Sequence, residues 1–417
     1  MPDGTRDITN HASTPTSDVP QPVIENALVI HLFLGREAGG ITSAMGQWIP
    51  AQMEAGWRHL AFCLRPGAVE REMERFAVPA VVADNGRGYS TPKRFFHKLR
   101  TELRSLGPAI IHAHNPAAQF YAAWQQPRHA EHRWRVVRTV HADSRLEMKH
   151  NLSLPGRLFW NTASAWSMAH TDGLICIHEH VRQCLPTKYQ QQAVVMPNGL
   201  NAAEIENSTK PLPTDLADWL GSDDIPMVLS IGRLVDIKRF DWVIDCWAKT
   251  KTARNHARLV ILGEGTQRAA LQQQIESLGL QDCVRLQHWT ADIAPILKRS
   301  CLTVVASKSE TGPLVLLESM AAGAASIATP VGIVPDVIEE GVTGWMIDHP
   351  DDANRAADSE CQQLASLLDR LLSEPATLEE AGRCARRRLA ETHSHTAAAA
   401  RRAEFYNRVL QPTGKPD

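Results

Sequence analysis

The feature that most constrains this chain is a strand-and-helix alternation that runs, breaks once and starts again. Short apolar runs fit strands at residues 27–33, 60–64, 109–111, 136–140, 174–177 and 194–196. Helix-like stretches at 41–55, 92–106 and 116–124 separate them. Strands that alternate with helices in this way fold as a parallel sheet with helices on both faces. The alternation breaks at Pro197-Asn198-Gly199, and residues 201–226, with Lys210-Pro211-Leu212-Pro213, read as a linker with one or two helical turns. It then restarts with strand-like runs at 227–231, 259–262, 284–286, 302–305, 326–328 and 345–347. Residues 358–410 read as helical throughout. The expectation is an α/β chain of two Rossmann-like domains facing a central cleft. It comprises a disordered tail over 1–22, an N-terminal domain over 23–200, the linker, a C-terminal domain over 227–392, and a segment 393–417 that returns to the N-terminal domain. The final helix, around 396–410, offers Ala398, Phe405 and Val409 for that docking.

Composition narrows the function. In 417 residues, the formal net charge of −2 gives no field that would draw nucleic acid. No apolar run approaches a membrane span, and the first 22 residues lack the apolar core of a signal peptide. The eight cysteines are scattered, with no C-x-x-C pair, and read as buried reduced thiols of a cytoplasmic protein. Residues 92–106 carry Lys93, Arg94, Lys98, Arg100 and Arg104 beside Phe95, Phe96, Leu99 and Leu103. Two readings stay open for them: a wall helix with solvated cations, or a peripheral contact with the inner face of an anionic membrane.

Four segments carry candidate chemistry. In Ser307-Lys308-Ser309-Glu310-Thr311-Gly312-Pro313-Leu314, a strand passes through a loop into a helix that opens at Pro313. Proline suits a first helical position, and the open N–H groups there form an anion site suited to a diphosphate. Glu318 lies on the same otherwise apolar helix, where a carboxylate needs a polar partner such as two ribose hydroxyls. In Ser230-Ile231-Gly232-Arg233-Leu234-Val235-Asp236-Ile237-Lys238, a strand-ending glycine admits a ligand to the backbone, and Arg233 and Lys238 follow at the carboxyl edge where open sheets bind ligands. Gly263-Glu264-Gly265 begins like a dinucleotide fingerprint, but Arg268 stands where its last glycine belongs. Gly39-Gly40 follows the first strand. Among the histidines, His112 and His114 share one side of a strand end and His141 closes another strand, while His178 and His180 read as structural. No third ligand stands at metal spacing and there is no Asp-x-Asp triplet, so no metal site is expected.

In this order the segments resemble the GT-B glycosyltransferases, specifically family 4, over residues 23–410. The resemblance rests on Glu310 and Glu318 as an E-x7-E pair, Met320-Ala321-Ala322-Gly323, Thr329-Pro330-Val331-Gly332, Gly232-Arg233-Leu234 with Lys238, Val195-Met196-Pro197-Asn198-Gly199, Ile110-Ile111-His112-Ala113-His114 and Thr139-Val140-His141. It implies that Arg233 and Lys238, with Gly232 and Gly263 beside them, hold a donor diphosphate, and that Glu318 binds ribose. It implies that Glu310 and the backbone of Thr311, Gly312, Pro313 and Leu314 contact the sugar and distal phosphate. Gly40 would approach the diphosphate from the facing domain, and His141 would lie near the sugar and the incoming hydroxyl. The family retains anomeric configuration with no metal on the diphosphate and no cofactor, the nucleotide-sugar being a co-substrate. The chain departs from the pattern at Gly312, Ile333, Arg239 and His178, and the first departure bears on sugar identity.

The implied activity is transfer from a nucleotide-sugar, a UDP-sugar ahead of a GDP-sugar, to a glycan or lipid-linked acceptor, in a setting such as bacterial surface polysaccharide synthesis. Three rivals remain at this level. A sugar-nucleotide epimerase of the same fold would need acid/base carboxylates in the cleft. An NAD-linked oxidoreductase would need the glycine fingerprint that Arg268 breaks. A silent sugar-binding subunit is disfavoured by the intact Arg233, Lys238, Glu310 and Glu318.

Overall fold

The computed structural model describes residues 18–34, 40–82, 101, 109–124, 126, 134–141, 154–290, 292–310, 312–348 and 357–411. The expected basic helix over 92–106 lies outside these residues except for Thr101, as do Gly39, Thr311 and residues 1–17 of the expected tail. Residues 18–22, also assigned to the tail, are instead packed. Val19 is buried in the N-terminal core, the Trp57 indole donates to the Pro20 carbonyl at 2.8 Å, and Asn407 donates to the Gln21 carbonyl at 2.8 Å.

Among the described residues the strands form two sheets, parallel throughout. The first contains β1 (Leu28–Phe33), β2 (Arg58–Cys63), β3 (Ala80–Val82), β4 (Ala109–Ala113), β5 (Arg135–Val140), β6 (Gly173–Cys176) and β7 (Ala193–Val195), in the order β3-β2-β1-β4-β5-β6-β7. The second contains β8 (Met227–Ile231), β9 (Arg258–Leu262), β10 (Val284–Gln287), β11 (Leu302–Val305), β12 (Ala325–Ala328) and β13 (Trp345–Met346), in the order β10-β9-β8-β11-β12-β13. Strand β3 escaped the sequence pattern because three half-buried residues are too few to show a period.

Both faces of each sheet are covered, which is why the strands read as continuous apolar runs. In the N-terminal sheet Val29, Ile110, Val137 and Ile175 face Trp48, Ile49 and the final helix, while Leu28, Ile30, Leu32, Ile111 and Val136 face Ala118 and Ala122. The final helix, His395–Leu410, starts on Ser394, whose hydroxyl accepts from the Ala397 N–H, and it buries Ala398, Ala399, Phe405 and Tyr406 in the N-terminal core. The helical tail thus breaks into Ala357–Leu372, Pro375–Thr392 and His395–Leu410.

Residues 201–226 are not a free linker. They form the helices Ala203–Glu206 and Thr214–Leu220, and Ile205, Leu216 and Leu220 pack into the core beneath β8 and β9 with Met227, Leu229 and Val260. The chain passes between the domains at 196–200 and again at 392–395, and the two passages are hydrogen-bonded. The Leu200 N–H donates to the His393 carbonyl at 2.9 Å and the His395 N–H to the Leu200 carbonyl at 3.1 Å. Gly199 is required there, since a Cβ would fall 2.6 Å from the Ser394 carbonyl oxygen. The buried Arg402 guanidinium reaches the carbonyls of Pro197 and Ala398 and the Asn198 side chain, and lies 4.8 Å over the Trp48 ring.

Candidate active site

In the C-terminal sheet the chain order reverses between β8 and β11, and a crevice opens at such a reversal beyond the carboxyl ends of the strands. The loops after β8, β9 and β11 meet there. Gly263 lets the β9 loop close on the β8 loop, because a Cβ on it would fall 1.9 Å from the Gly232 carbonyl oxygen. The Leu234 N–H then donates to the Glu264 carbonyl at 2.8 Å, and the Lys308 N–H donates to the Ile237 carbonyl at 2.8 Å, tying the β8 loop to the β11 loop.

These ties bring together Lys238 and Glu310, two of the side chains that the sequence singled out. The Lys238 ammonium pairs with a Glu310 carboxylate oxygen that also accepts from the Ser307 hydroxyl at 2.6 Å. The Arg233 side chain is exposed, and its guanidinium makes no hydrogen bond or ion pair to a described residue. The helix Leu314–Ala322 begins one residue later than Pro313, which occupies the capping position in an extended conformation. No side chain caps it, and while the Leu316 N–H donates to the Pro313 carbonyl at 3.0 Å, the N–H groups of Leu314 and Val315 make no hydrogen bond to a described residue and suit an anion. Glu318, on this helix, is half-buried, and its carboxylate makes no hydrogen bond or ion pair among the described residues. Burial pushes its carboxyl up from the ordinary 4.5 to about 7.

The N-terminal domain faces this crevice. A Cβ on Gly312 would lie 3.9 Å from Asn198 Nδ2 and from Ile177 Cδ1, so that glycine looks onto the hinge and the end of the N-terminal sheet. His178 caps the helix Glu179–Gln183 by accepting from the His180 N–H, a structural role. Its Nε2 also lies 2.9 Å from Asp336 Oδ2 of the C-terminal domain, out of line for a hydrogen bond. Gly40 opens the helix Gly40–Glu54 after β1, at the order reversal between β1 and β4.

The histidines depart most from expectation. In register, His31 of β1 pairs with His112 of β4, and His59 of β2 lies on the same sheet face. The result is a buried line: His59 Nδ1 to His31 Nε2 at 3.0 Å, His31 Nδ1 to His114 Nε2 at 3.1 Å, and His114 Nδ1 to His141 Nε2 at 3.2 Å. His112 lies beside the line, bonded to the Tyr406 hydroxyl and the Thr139 hydroxyl at 2.7 Å each. The sequence argument that no third metal ligand was available is therefore corrected. His31, His112 and His114 bring ring nitrogens within 4.8 Å of one another, because parallel register aligns residues far apart in sequence. The charge around them suits a cation poorly. Among the described residues no carboxylate bonds to these rings, and burial, then His141 and the Arg402 guanidinium, hold His114 well below its ordinary range. Burial, then Arg402 and Arg138, takes His141 down to about 3. A dication there would lie uncompensated beside a buried Arg.

Two open α/β domains that face each other, with a cationic loop and a carboxylate-bearing helix at the reversal point of the second, define the GT-B architecture. HepE of Anabaena, solved with UDP and with UDP-glucose, superposes with a TM-score of 0.75 for the UDP complex, at 17% identity over 91% of this chain and 99% of its own. Residues 215–388 match the model for glycosyl transferases group 1 and residues 38–204 the model for glycosyltransferase family 4. The chain belongs to the group 1, family 4 glycosyltransferases.

Among curated relatives, the chain is 32% identical over 127 residues to N-acetyl-alpha-D-glucosaminyl L-malate synthase of Bacillus anthracis. It is 31% identical over 125 residues to LpsE, a lipopolysaccharide core biosynthesis glycosyltransferase of Rhizobium meliloti. Each match covers 30% of this chain, and they span only 33% and 36% of those relatives.

Proposed function

We propose that the chain moves a glycosyl group from a nucleotide-sugar, a UDP-sugar ahead of a GDP-sugar, to a glycan or lipid-linked acceptor with retention of anomeric configuration. The observation that carries this reading is the meeting of Arg233, Lys238, Glu310 and the uncapped start of Leu314–Ala322 at one reversal point. When the bond from the anomeric carbon to the phosphate oxygen breaks, negative charge grows on the diphosphate. Arg233, Lys238 and the open helix N–H groups, including that of Leu314, are the cations and dipoles suited to receive it. The Glu310 carboxylate holds Lys238 in place and accepts hydrogen bonds from sugar hydroxyls, with the backbone of Thr311, Gly312 and Pro313 alongside. Glu318 takes the ribose hydroxyls, Gly232 and Gly263 keep the backbone close to the diphosphate, Gly40 approaches it from the facing domain, and His141 contacts the sugar.

In this reading no metal and no cofactor take part, because the protein supplies the positive charge itself. The setting in this reading is the cytoplasm, in surface polysaccharide synthesis. The LpsE resemblance supports surface polysaccharide synthesis.

Arg233→Ala and Lys238→Ala test the reading. Each removes one charge-assisted contact to the leaving group, and turnover should fall roughly a hundredfold with thermal stability unchanged. Near-wild-type turnover in both variants refutes it, and the anomeric configuration of the product, read by NMR, decides retention.

A further inference from the structure

We propose that His59, His31 and His114 form a buried relay of hydrogen bonds that fixes the tautomer of His141, so that its neutral ring offers an Nδ1–H away from the sheet. The three are positioning residues, and their role in catalysis rests on the transfer reading above.

The argument begins with a count of protons. Burial holds His31 and His114 well below their ordinary range and takes His59 and His141 down to about 3, so all four rings are neutral at neutral pH. A neutral imidazole has one N–H and one bare nitrogen. Three N···N contacts of 3.0–3.2 Å in a row each need one N–H and one lone pair. Every ring in the line must therefore point its N–H the same way. If the line ran from His141 inward, all four rings would be Nε2–H, and the His59 Nε2–H would end buried with no acceptor. If it runs outward, all four are Nδ1–H, and the unmet atom at His59 is a lone pair. A buried N–H without an acceptor is the rarer and costlier defect. The outward direction follows. His114 Nδ1–H donates to His141 Nε2, and the His141 proton must sit on Nδ1.

That end of the line is where a ligand can reach. His141 follows β5 at the carboxyl edge of the sheet and is half-buried, while His31, His59, His112 and His114 are buried. The two nitrogens of an imidazole diverge, so with Nε2 held inward by His114 the Nδ1–H is directed away from the line. It is a neutral donor suited to a hydroxyl oxygen of the bound sugar. Neighbouring elements hold the line rigid. Phe33 stacks on His114 at a centroid distance of 5.5 Å, Trp48 meets the edge of His31 at 5.9 Å, and His112 is pinned between Thr139 and Tyr406. The positive charge of Arg402 opposes protonation of His112, His114 and His141, which preserves the one-proton count.

The experiment is long-range 1H–15N correlation NMR on the full chain with 15N-labelled histidine, the His141 signals being assigned by their loss in His141→Gln. In the wild type, His141 should show a protonated Nδ1 and a bare Nε2. His114→Leu removes the inward donor, and His141 should shift toward the Nε2–H form. With a turned-over donor, kcat should fall about tenfold, as for one lost hydrogen bond, with the donor KM unchanged. His114→Asn places an amide N–H where Nδ1 stood and should restore both the tautomer and kcat. An Nε2–H form in the wild type overturns the relay. So do equal losses in His114→Leu and His114→Asn, and so does stoichiometric metal in the purified protein or a zinc-induced shift of His31, His112 and His114, which would make them ligands. If no nucleotide-sugar is turned over while the tautomer responds as described, the relay stands and the transfer reading falls.

Discussion

Replacing Glu318 by Gln isolates the energetic cost of keeping a carboxylate ready for a ligand. Burial raises its carboxyl from the ordinary 4.5 to about 7. The folded chain therefore holds a proton on Glu318 between those values that the unfolded chain has lost. The folded pKa is the higher one, so stability falls as pH rises from about 4.5 to about 7 and then levels off. At pH 8 the ionised group costs about 3 kcal/mol, and Gln, uncharged at every pH, removes that cost. Glu318→Gln should therefore match the wild type in denaturant unfolding near pH 4.5 and exceed it by about 3 kcal/mol at pH 8. Binding should run the other way. In the proposed role of Glu318 the ribose hydroxyls donate to the ionised form, so UDP affinity of the wild type should rise between pH 6 and 8, and Glu318→Gln should lose about tenfold or more at pH 8. A stability difference that does not change with pH, or unchanged UDP affinity in the variant, would refute the reasoning.

Gly263→Ala forces a Cβ against the Gly232 carbonyl and should destabilise the C-terminal domain by about 1–3 kcal/mol, read as a lower denaturant midpoint. Arg402→Met should lower stability by about 1–3 kcal/mol in the same assay, because the carbonyl of Pro197 loses its donor at the hinge. The five histidines His31, His59, His112, His114 and His141 all titrate below their ordinary range, so their stabilisation is present above pH 6.5 and is lost as pH falls. His59 and His141, taken down to about 3, should each cost about 1.4 kcal/mol of stability per pH unit below pH 6, and a denaturant midpoint unchanged between pH 7 and pH 5 would contradict the neutrality of the histidines. EDTA should leave sugar transfer intact; a strict manganese requirement would count against the proposed leaving-group clamp.

The sequence by itself determined the architecture and marked the residues proposed for the donor side. Fully covered parallel strands must be apolar along their whole length, and strand-to-helix loops at carboxyl edges collect glycines and charges, so both leave local marks. Gly232, Arg233, Lys238, Glu310 and Glu318 were legible for that reason. What was not local was not legible. The helices Ala203–Glu206 and Thr214–Leu220 resembled a linker because the core that holds Ile205, Leu216 and Leu220 is supplied by β8 and β9. Residues 18–22 resembled a tail because their partners, Trp57 and Asn407, lie far along the chain. Arg402 passed unremarked on the last helix, since the hinge carbonyls it reaches are about 205 residues away. His31 and His59 passed unremarked in the sequence, and only the register β2-β1-β4-β5 sets them in line with His114 and His141. Sequence patterns record what a residue needs from its own turn or strand. Tertiary structure decides which polar groups, once taken out of water, must find one another.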